Sequence, residues 1–447
     1  MEPIILIIFV VGYLLIAFEH PVKINKTASA LITGALCWGL FSAGFPSVTF
    51  QTSEHFTAFA SSYSSDDSMD IFHAFLNQEL SHSLSQISGI LFFLLGAMTI
   101  VELIDAHHGF RFITDHIQTL NIRKLLWIVS WVTFFLSAVL DNLTTAIVMV
   151  SLTRKLVQDE KQRMMFAGMI IIAANAGGAW SPIGDVTTTM LWINGNISSL
   201  EIIKGLLLPS IICLMVPLLY LTMKMKGNLE PRITIGQEGV DMEYVKGGKI
   251  MLFVGVGALV FVPVFKTITH LPPYMGILLG LGVLWVISEL INPDLDEFAK
   301  KRYSVASALS RVDVPSVLFF MGILLAVSAL ESMRTLHHFA EYLNETIGDN
   351  RIIITLIGVV SSVVDNVPLV AACMGMYSLD LYPMDHMIWE YLAYCAGTGG
   401  SLLVIGSAAG VAVMGMERLD FIWYVRNISF LALIGYMAGA LIFLIAV

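Results

Sequence analysis

The sequence predicts an all-α polytopic membrane protein that is built from two inverted repeats. Three observations predict this fold class: the composition, the number of long apolar segments, and a polar motif that occurs twice. Of the 447 residues, 57% are hydrophobic and 13% are charged, whereas a soluble domain carries about 25% charged residues. A lipid bilayer is therefore the expected surroundings, and the net charge of −10 argues against a nucleic-acid partner.

Ten apolar segments approach the roughly 20 residues that cross a bilayer. They lie at about 4–18, 28–44, 88–104, 164–193, 202–223, 250–267, 274–291, 315–333, 388–416 and 428–446. The first segment lacks the basic start and the small-residue cleavage site of a signal peptide, so we interpret it as the first span. The four cysteines lie in apolar segments without metal-type spacing and indicate no redox compartment.

Two further apolar stretches, about 124–153 and 352–378, each contain an Asp-Asn pair. Their centres, SAVLDN from Ser137 and SSVVDN from Ser361, repeat the pattern Ser-x-x-x-Asp-Asn. A charged aspartate at the bilayer centre costs about 2.5–3.5 kcal/mol on insertion scales, so a repeated pair is not explained by packing alone. We interpret both stretches as re-entrant hairpins with an Asp-Asn pair at each tip.

The repeat extends beyond these motifs. LFFLLG at 91–96 corresponds to LFFMG at 318–322, and GGAWSPIG at 177–184 corresponds to GGSLLVIG at 399–406. Clustered glycines, and Pro182 in the first half, predict that GGAWSPIG and GGSLLVIG each interrupt a membrane-crossing helix. Such irregular backbone is tolerated within the membrane where protein or a water-lined cavity satisfies its polar groups. Each half then has five crossings and one hairpin, and because five is odd, the second half is inserted upside down. Such inverted repeats place a transporter's substrate site where the broken helices meet.

The predicted domains follow from this count. The first repeat spans 1–225, with a hairpin at about 124–153 and a broken helix at about 164–193. A cytoplasmic linker spans 226–249. The second repeat spans 250–447, with a hairpin at about 352–378 and a broken helix at about 388–416.

The basic residues predict the orientation, because Lys and Arg are retained on the cytoplasmic side. With both hairpins re-entrant, all but four of the 24 basic residues fall on one side; the exceptions are Lys204, Lys266, Arg334 and Arg351. The richer side is predicted to be cytoplasmic. Both termini and the acidic segment 45–87 then lie outside.

Carboxylate, amide and hydroxyl oxygens suit a hard alkali cation. Asp141 and Asn142 are predicted to bind such a cation in the first half, and Asp365 and Asn366 in the second. The halves differ in that Asp185 follows the first break whereas Ser407 holds the aligned place in the second. Structural alternatives remain open: serines and asparagines cap helices, and threonines bond to the preceding turn. The histidines, His107 and His108 among them, are expected to be solvated in connections.

Three stretches resemble the NhaD-type sodium/proton antiporters of the ion transporter superfamily, which also includes arsenite and anion carriers. They are FEHPVKINKTASALITG from Phe18, the paired Ser-x-x-x-Asp-Asn hairpins, and NAGGAWSPIGDVTTT from Asn175. The resemblance implies a homodimer with an elevator-like motion in a bacterial inner membrane. It also implies exchange of Na+ and Li+ for H+, with no cofactor besides the transported ions. The polar residues that it implies are Ser137, Asp141, Asn142, Thr144, Asn175, Asp185, Thr187, Thr188, Ser361, Asp365, Asn366 and Ser401.

Two other functions compete with an antiporter. An anion carrier of the same superfamily would share the fold, but two carboxylates at the hairpin tips would repel an anion unless sodium neutralised them. An intramembrane aspartyl protease would use two aspartates, yet the PIGD at 182–185 matches only part of that signature, and proteolysis gives no reason for an inverted duplication. The sequence therefore favours a transporter over an enzyme.

Overall fold

A computed structural model describes residues 2–44, 54–63, 67–115, 117, 119–225, 227, 247–291 and 304–446. Within these residues the regular structure is helical, and seven helices are long and apolar enough to cross a membrane. The prediction of an α-helical polytopic membrane protein is confirmed. Most of the predicted linker 226–249 lies outside the described residues.

The first half of the chain forms eleven helices within the described residues. They are α1 (Glu2–Ala17), α2 (Glu19–Val22), α3 (Lys26–Ala43), α4 (Glu54–Ser62), α5 (Ser68–Ala106), α6 (Arg111–Asp115), α7 (Ile122–Leu140), α8 (Asn142–Leu156), α9 (Glu160–Ala179), α10 (Val186–Ile193) and α11 (Ser199–Lys224). Polar N-caps fix several starts: the Asn121 side chain accepts from two backbone amides of α7, and Asp159 accepts from one of α9.

The second half forms eleven further helices within the described residues. Its helices are α12 (Gly248–Thr269), α13 (Pro273–Ile291), α14 (Val305–Leu309), α15 (Val314–Ser332), α16 (Thr335–Ile347), α17 (Asn350–Val360), α18 (Asn366–Met376), α19 (Met387–Gly399), α20 (Ala408–Glu417), α21 (Phe421–Tyr424) and α22 (Phe430–Ala446). A π-helical turn, Val425–Ser429, joins α21 to α22, and the three form one apolar stretch.

Each predicted span falls on helical residues, with two helices in each of the predicted broken crossings 164–193 and 388–416, but α5 is much longer than the predicted 88–104. It begins at Ser68, inside the stretch that was interpreted as an outer connection. Phe72, Phe75 and Leu76 are buried on one face of this extension. The apolar residues recur with helical spacing between polar ones, and such an amphipathic pattern does not form a continuous apolar run.

The helices divide into two compact units. The first comprises Met1–Phe92, Asp313–Asn350 and Val367–Tyr382. In it α3 packs closely on α15, because Gly34 and Gly322 allow their backbones to approach: a Cβ at Gly34 would lie 2.5 Å from the Gly322 oxygen. The Trp38 indole adds a 2.9 Å hydrogen bond to the Leu325 carbonyl.

The second unit comprises Phe93–Val312, Arg351–Asn366 and Pro383–Val447. Its core contains α9 and α19, which are buried on all sides from Phe166 to Ala179 and from Ile388 to Gly399. They approach each other at Gly397, where a Cβ would lie 3.2 Å from that of Ala179. Both helices end in an irregular stretch, and the predicted polar residues collect there.

Candidate functional site

Asp141 interrupts the first predicted hairpin. It lies between α7 and α8 with φ 94° and ψ 159°, a region that is almost reserved for glycine. Its side chain caps α8: Oδ1 accepts from the Thr144 backbone amide at 2.8 Å, and Oδ2 accepts from the Thr144 hydroxyl at 2.9 Å. The residue as a whole is half-buried. Asp141 therefore occupies a strained, partly exposed position at the start of a helix.

Asp185 caps α10 after the break in the first crossing. Its Oδ1 accepts from the Thr187 amide at 2.9 Å and from the Thr187 hydroxyl at 2.8 Å. The Thr188 hydroxyl instead donates to the Asp185 backbone carbonyl at 2.9 Å, as in the alternative of bonding within the first turn. The interruption was predicted at 177–184, but α9 continues to Ala179.

A chain of hydrogen bonds joins the two halves of the sequence at this point. The Asn142 amide donates to Asp185 Oδ2 at 2.7 Å and to Asn175 Oδ1 at 3.1 Å. The Asn175 amide in turn donates to the Ser407 hydroxyl at 3.0 Å. All four residues are at most 7% exposed. Buried polar networks of this kind specify one geometry when their members are satisfied.

Ser407 was noted in the sequence only as the counterpart of Asp185, not as a member of the site. The structure makes it the N-cap of α20, with the Gly410 amide donating to its hydroxyl. Its repeat position was the signal that could have identified it, since Asp185 caps the aligned helix α10.

The second Asp-Asn pair lies beside the same network, although its local structure differs. In the second hairpin α17 ends at Val360, so Ser361 begins the irregular stretch, whereas α7 is helical to Leu140. Asp365 interacts electrostatically with Asp185, and the Asn366 amide lies next to that carboxylate. The Asn366 Nδ2 atom is buried and has no hydrogen-bond partner among the described residues.

Three predicted site serines bond to backbone carbonyls rather than to carboxylates. The Ser137 hydroxyl donates to the Ala174 carbonyl at 2.6 Å, and Ser361 reaches the Ala396 carbonyl at 3.2 Å. The Ser401 hydroxyl donates to the Thr398 carbonyl, one turn earlier, at 2.6 Å. Ser137 and Ser361 thus fasten each interrupted hairpin to the neighbouring broken helix.

Glycines make the corresponding contacts in both halves. A Cβ at Gly177 would collide with the Phe134 carbonyl, and a Cβ at Gly399 would collide with the Gly358 carbonyl. Phe134 and Gly358 each precede the motif serine by one turn. The last glycines of the two motifs also match: Gly184 lies against the carbonyl of Ser137, and Gly406 lies against that of Ser361. The paired motifs therefore share their packing as well as their letters.

The electrostatics of the site favour a cation. Asp141 and Asp185 interact electrostatically, as do Asp185 and Asp365. The helix N-termini that Asp141 and Asp185 cap partly offset their negative charge. No three His, Cys, Asp or Glu side chains of the described residues form a metal-binding group, so a hard cation here would also need amide, hydroxyl or carbonyl oxygens.

His107 contradicts the expectation that it is solvated. It is fully buried just after α5, with Nδ1 2.9 Å from the Leu103 carbonyl and Nε2 3.3 Å from the Ser288 hydroxyl of α13. Burial lowers the pKa of His107 because it disfavours the charged imidazolium. Nearby, Glu102 and Arg311 form an ion pair at 3.7 Å.

Comparison with known proteins yields a consistent set of relatives. A family model described as citrate transporter, CitMHS, matches residues 13–391. The chain is 49% identical to "Sodium/proton antiporter 1" of Arabidopsis thaliana over 97% of this chain and 70% of that protein. It is 44% identical to "Sodium/proton antiporter 2" of the same plant over 98% of both chains. "Na(+)/H(+) antiporter NhaD" of Vibrio cholerae is 30% identical over 92% of this chain and 84% of its own length.

Proposed function

This chain belongs to the NhaD-type sodium/proton antiporters, within the family whose model is described as citrate transporter, and on that premise we propose that it exchanges Na+ for H+ across a membrane. The observation that carries the proposal is the polar network around Asp185, where carboxylates, amides and hydroxyls meet at the starts of interrupted helices. Li+ has the same charge and hard-ligand preference and is proposed as a second substrate.

The proposed exchange needs one shared site. Asp141 uses its two oxygens to cap α8 but remains half-buried, so lone pairs are left for an incoming ion. Na+ binds when the carboxylates are ionised, and a proton binds the same oxygens and displaces it. Because each ion displaces the other, this one site couples the transport of Na+ to the transport of H+.

We further propose that the paired motifs form two inverted repeats, 1–225 and 250–447, that both hairpins are re-entrant, and that the basic connections face the cytoplasm of a bacterial cell. The matching glycine and serine contacts of the two halves support duplication. A homodimer is proposed on the resemblance to the family. Large apolar side chains of α12 and α13, such as Phe253 and Leu290, are exposed and available to lipid or to a second copy.

An anion carrier is the second candidate, because the description of the family model names citrate. The three carboxylates, Asp141, Asp185 and Asp365, argue against it, since they would repel citrate in a medium of low dielectric constant. The two candidates differ in the ion that moves.

Everted membrane vesicles carrying a pH-sensitive dye test the proposal. Respiration acidifies the interior and quenches the dye, and adding NaCl or LiCl should restore fluorescence as protons leave. KCl and sodium-free citrate are the comparison additions. Recovery with Na+ alone or with both Na+ and Li+ supports the antiporter. If none of the cations restores fluorescence at any pH while citrate accumulates, the anion carrier is correct.

A further inference from the structure

Glu417 forms a buried double ion pair away from the polar network. It is the last residue of α20, and its side chain is fully buried. Its Oε1 accepts from Arg154 Nε at 2.6 Å, and its Oε2 accepts from Arg163 Nε at 2.6 Å. The arginine side chains are 45% and 22% exposed. A buried carboxylate is retained only when it is paired in this way.

The helix dipoles alone do not explain the ion pair between Glu417 and Arg163. A helix carries partial negative charge at its C-terminus and partial positive charge at its N-terminus. Glu417 nevertheless ends α20, and Arg163 lies near the start of α9. Both charges are on the unfavourable end of their helix. Residues that break a local rule of this kind call for a tertiary reason.

The positions of α8 and α20 supply that reason. The two helices pack against each other, and both begin at the polar network: Asp141 caps α8, and Ser407 caps α20. Arg154 lies in the last turn of α8, and Glu417 ends α20. At about 1.5 Å per residue, the ion pairs lie roughly 15–20 Å from the caps. The two helices are thus tied at their far ends and meet the candidate ion site at their near ends.

We propose that Glu417 is a positioning residue of the ion site. By holding Arg154 and Arg163, it fixes the axial position of α20 against α8 and α9, and so keeps the Ser407 hydroxyl within 3.0 Å of the Asn175 amide. This inference rests on the proposed antiport. The inference extends the proposed antiport mechanism, because it assigns a role in Na+ affinity to a residue that does not touch the ion.

Loss of the Glu417 charge is expected to change the affinity for Na+ more than the maximal rate of exchange. Glu417→Gln keeps the size of the side chain and one acceptor oxygen but removes its charge. The two guanidinium groups are partly exposed, so they can turn to water, and α20 is no longer held. A shift of α20 moves Ser407 away from Asn175 and loosens the ligand set, because coupling between sites runs through packed elements of this kind.

Dye recovery in everted vesicles at graded NaCl tests the proposal. Glu417→Gln should raise the apparent KM for Na+ by about three- to tenfold, the range of moderate coupling, with a smaller change in maximal rate. The exchange Glu417→Arg with Arg163→Glu should restore part of the lost affinity. The matched control is Glu201→Gln, because Glu201 and Lys204 form an exposed pair, 45% and 57% exposed, which should contribute little.

The outcomes separate the two levels of inference. Absence of Na+ exchange in the wild type and in Glu201→Gln would contradict the proposed function. Active controls with an unchanged KM in Glu417→Gln would overturn the positioning role, as would an equal rise in both Gln variants. If Glu417→Gln does not accumulate in the membrane, Arg154→Gln decides the question, because Glu417 then keeps Arg163: a raised KM supports the role, and an unchanged KM refutes it.

Discussion

Single residues of the site do two tasks at once. Asp141 and Asp185 are N-caps, with Thr144 and Thr187 bonded to their carboxylates, and they are also the charged groups that the proposed exchange requires. An N-cap carboxylate is stabilised by the helix dipole, which reduces its cost in the membrane. The capping and binding interpretations of the motif are therefore compatible, and substitution must separate them.

Replacing an aspartate by asparagine makes that separation, because Asn also caps helices well. Asp141→Asn and Asp365→Asn should insert normally and lose Na+-dependent dye recovery by orders of magnitude. Asp141→Asn should be the more complete block, since the first half also supplies Asp185. If the aspartates are only structural, neutral Asn is cheaper to bury, and transport should persist at wild-type levels in both variants.

Thr187 and Thr188, two of the three threonines after Asp185, form a second matched pair. Thr187 donates to the Asp185 carboxylate, whereas Thr188 donates only to its backbone carbonyl. Thr187→Ala should therefore raise the apparent KM for Na+ more than Thr188→Ala does, while Thr187→Ser keeps the hydroxyl and stays close to wild type. If both Ala variants keep the wild-type KM for Na+ in vesicle assays at every pH, both threonines belong to helix packing.

At the scale of helices, glycines determine how closely the interrupted segments approach. A Cβ at Gly177 would collide with the Phe134 backbone, whereas a Cβ at Gly257 of α12 would meet no atom of another element within 4 Å. Gly177→Ala should destabilise the protein by about 1–3 kcal/mol, the typical effect of overpacking. Gly257→Ala should be neutral or stabilising by about 0.5–1 kcal/mol, since Gly is unfavourable in a helix. Thermal unfolding in detergent compares them; a stable Gly177→Ala would contradict the close packing.

The sequence predicted the positions of the helices better than their ends. Runs of apolar residues located helical segments of the described residues, because hydrophobicity is the main sequence signal of a membrane segment. The amphipathic start of α5 and the helical continuation of α9 through Gly177 were missed. Both depend on contacts with distant residues. The same reason explains Glu417: its partners Arg154 and Arg163 are more than 200 positions away in sequence and leave no local pattern.

His107 connects α5 to α13 through Ser288 and should make stability depend on pH. Its pKa is lowered from 6.5 by burial, with His108 and Arg311 as nearby cations. The unfolded chain therefore binds a proton at higher pH than the folded protein does. Stability is fully present above about pH 6.5 and is lost as the pH falls towards the lowered pKa.

His107→Gln removes this titration and keeps a hydrogen-bonding side chain. The Tm of the wild type in detergent should fall more steeply than that of the variant between about pH 7 and pH 5. Other groups titrate equally in both proteins, so the difference between the two curves isolates His107. Parallel curves would show that His107 does not titrate differently in the folded protein.

For the whole molecule, the division of basic residues predicts which end of each helix faces the cytoplasm. Tyr63 lies in the acidic segment 45–87 and is 44% exposed, and Lys161 is exposed at the start of α9 among basic neighbours. The four native cysteines are buried, so an introduced cysteine can be labelled selectively. In intact cells, a membrane-impermeant maleimide should label Tyr63→Cys but not Lys161→Cys, and permeabilised cells should show labelling of both variants.

Labelling of Lys161→Cys alone in intact cells would reverse the orientation and the proposed direction of both hairpins. Labelling of both would mean that the two positions share one side, which the proposed count of crossings forbids.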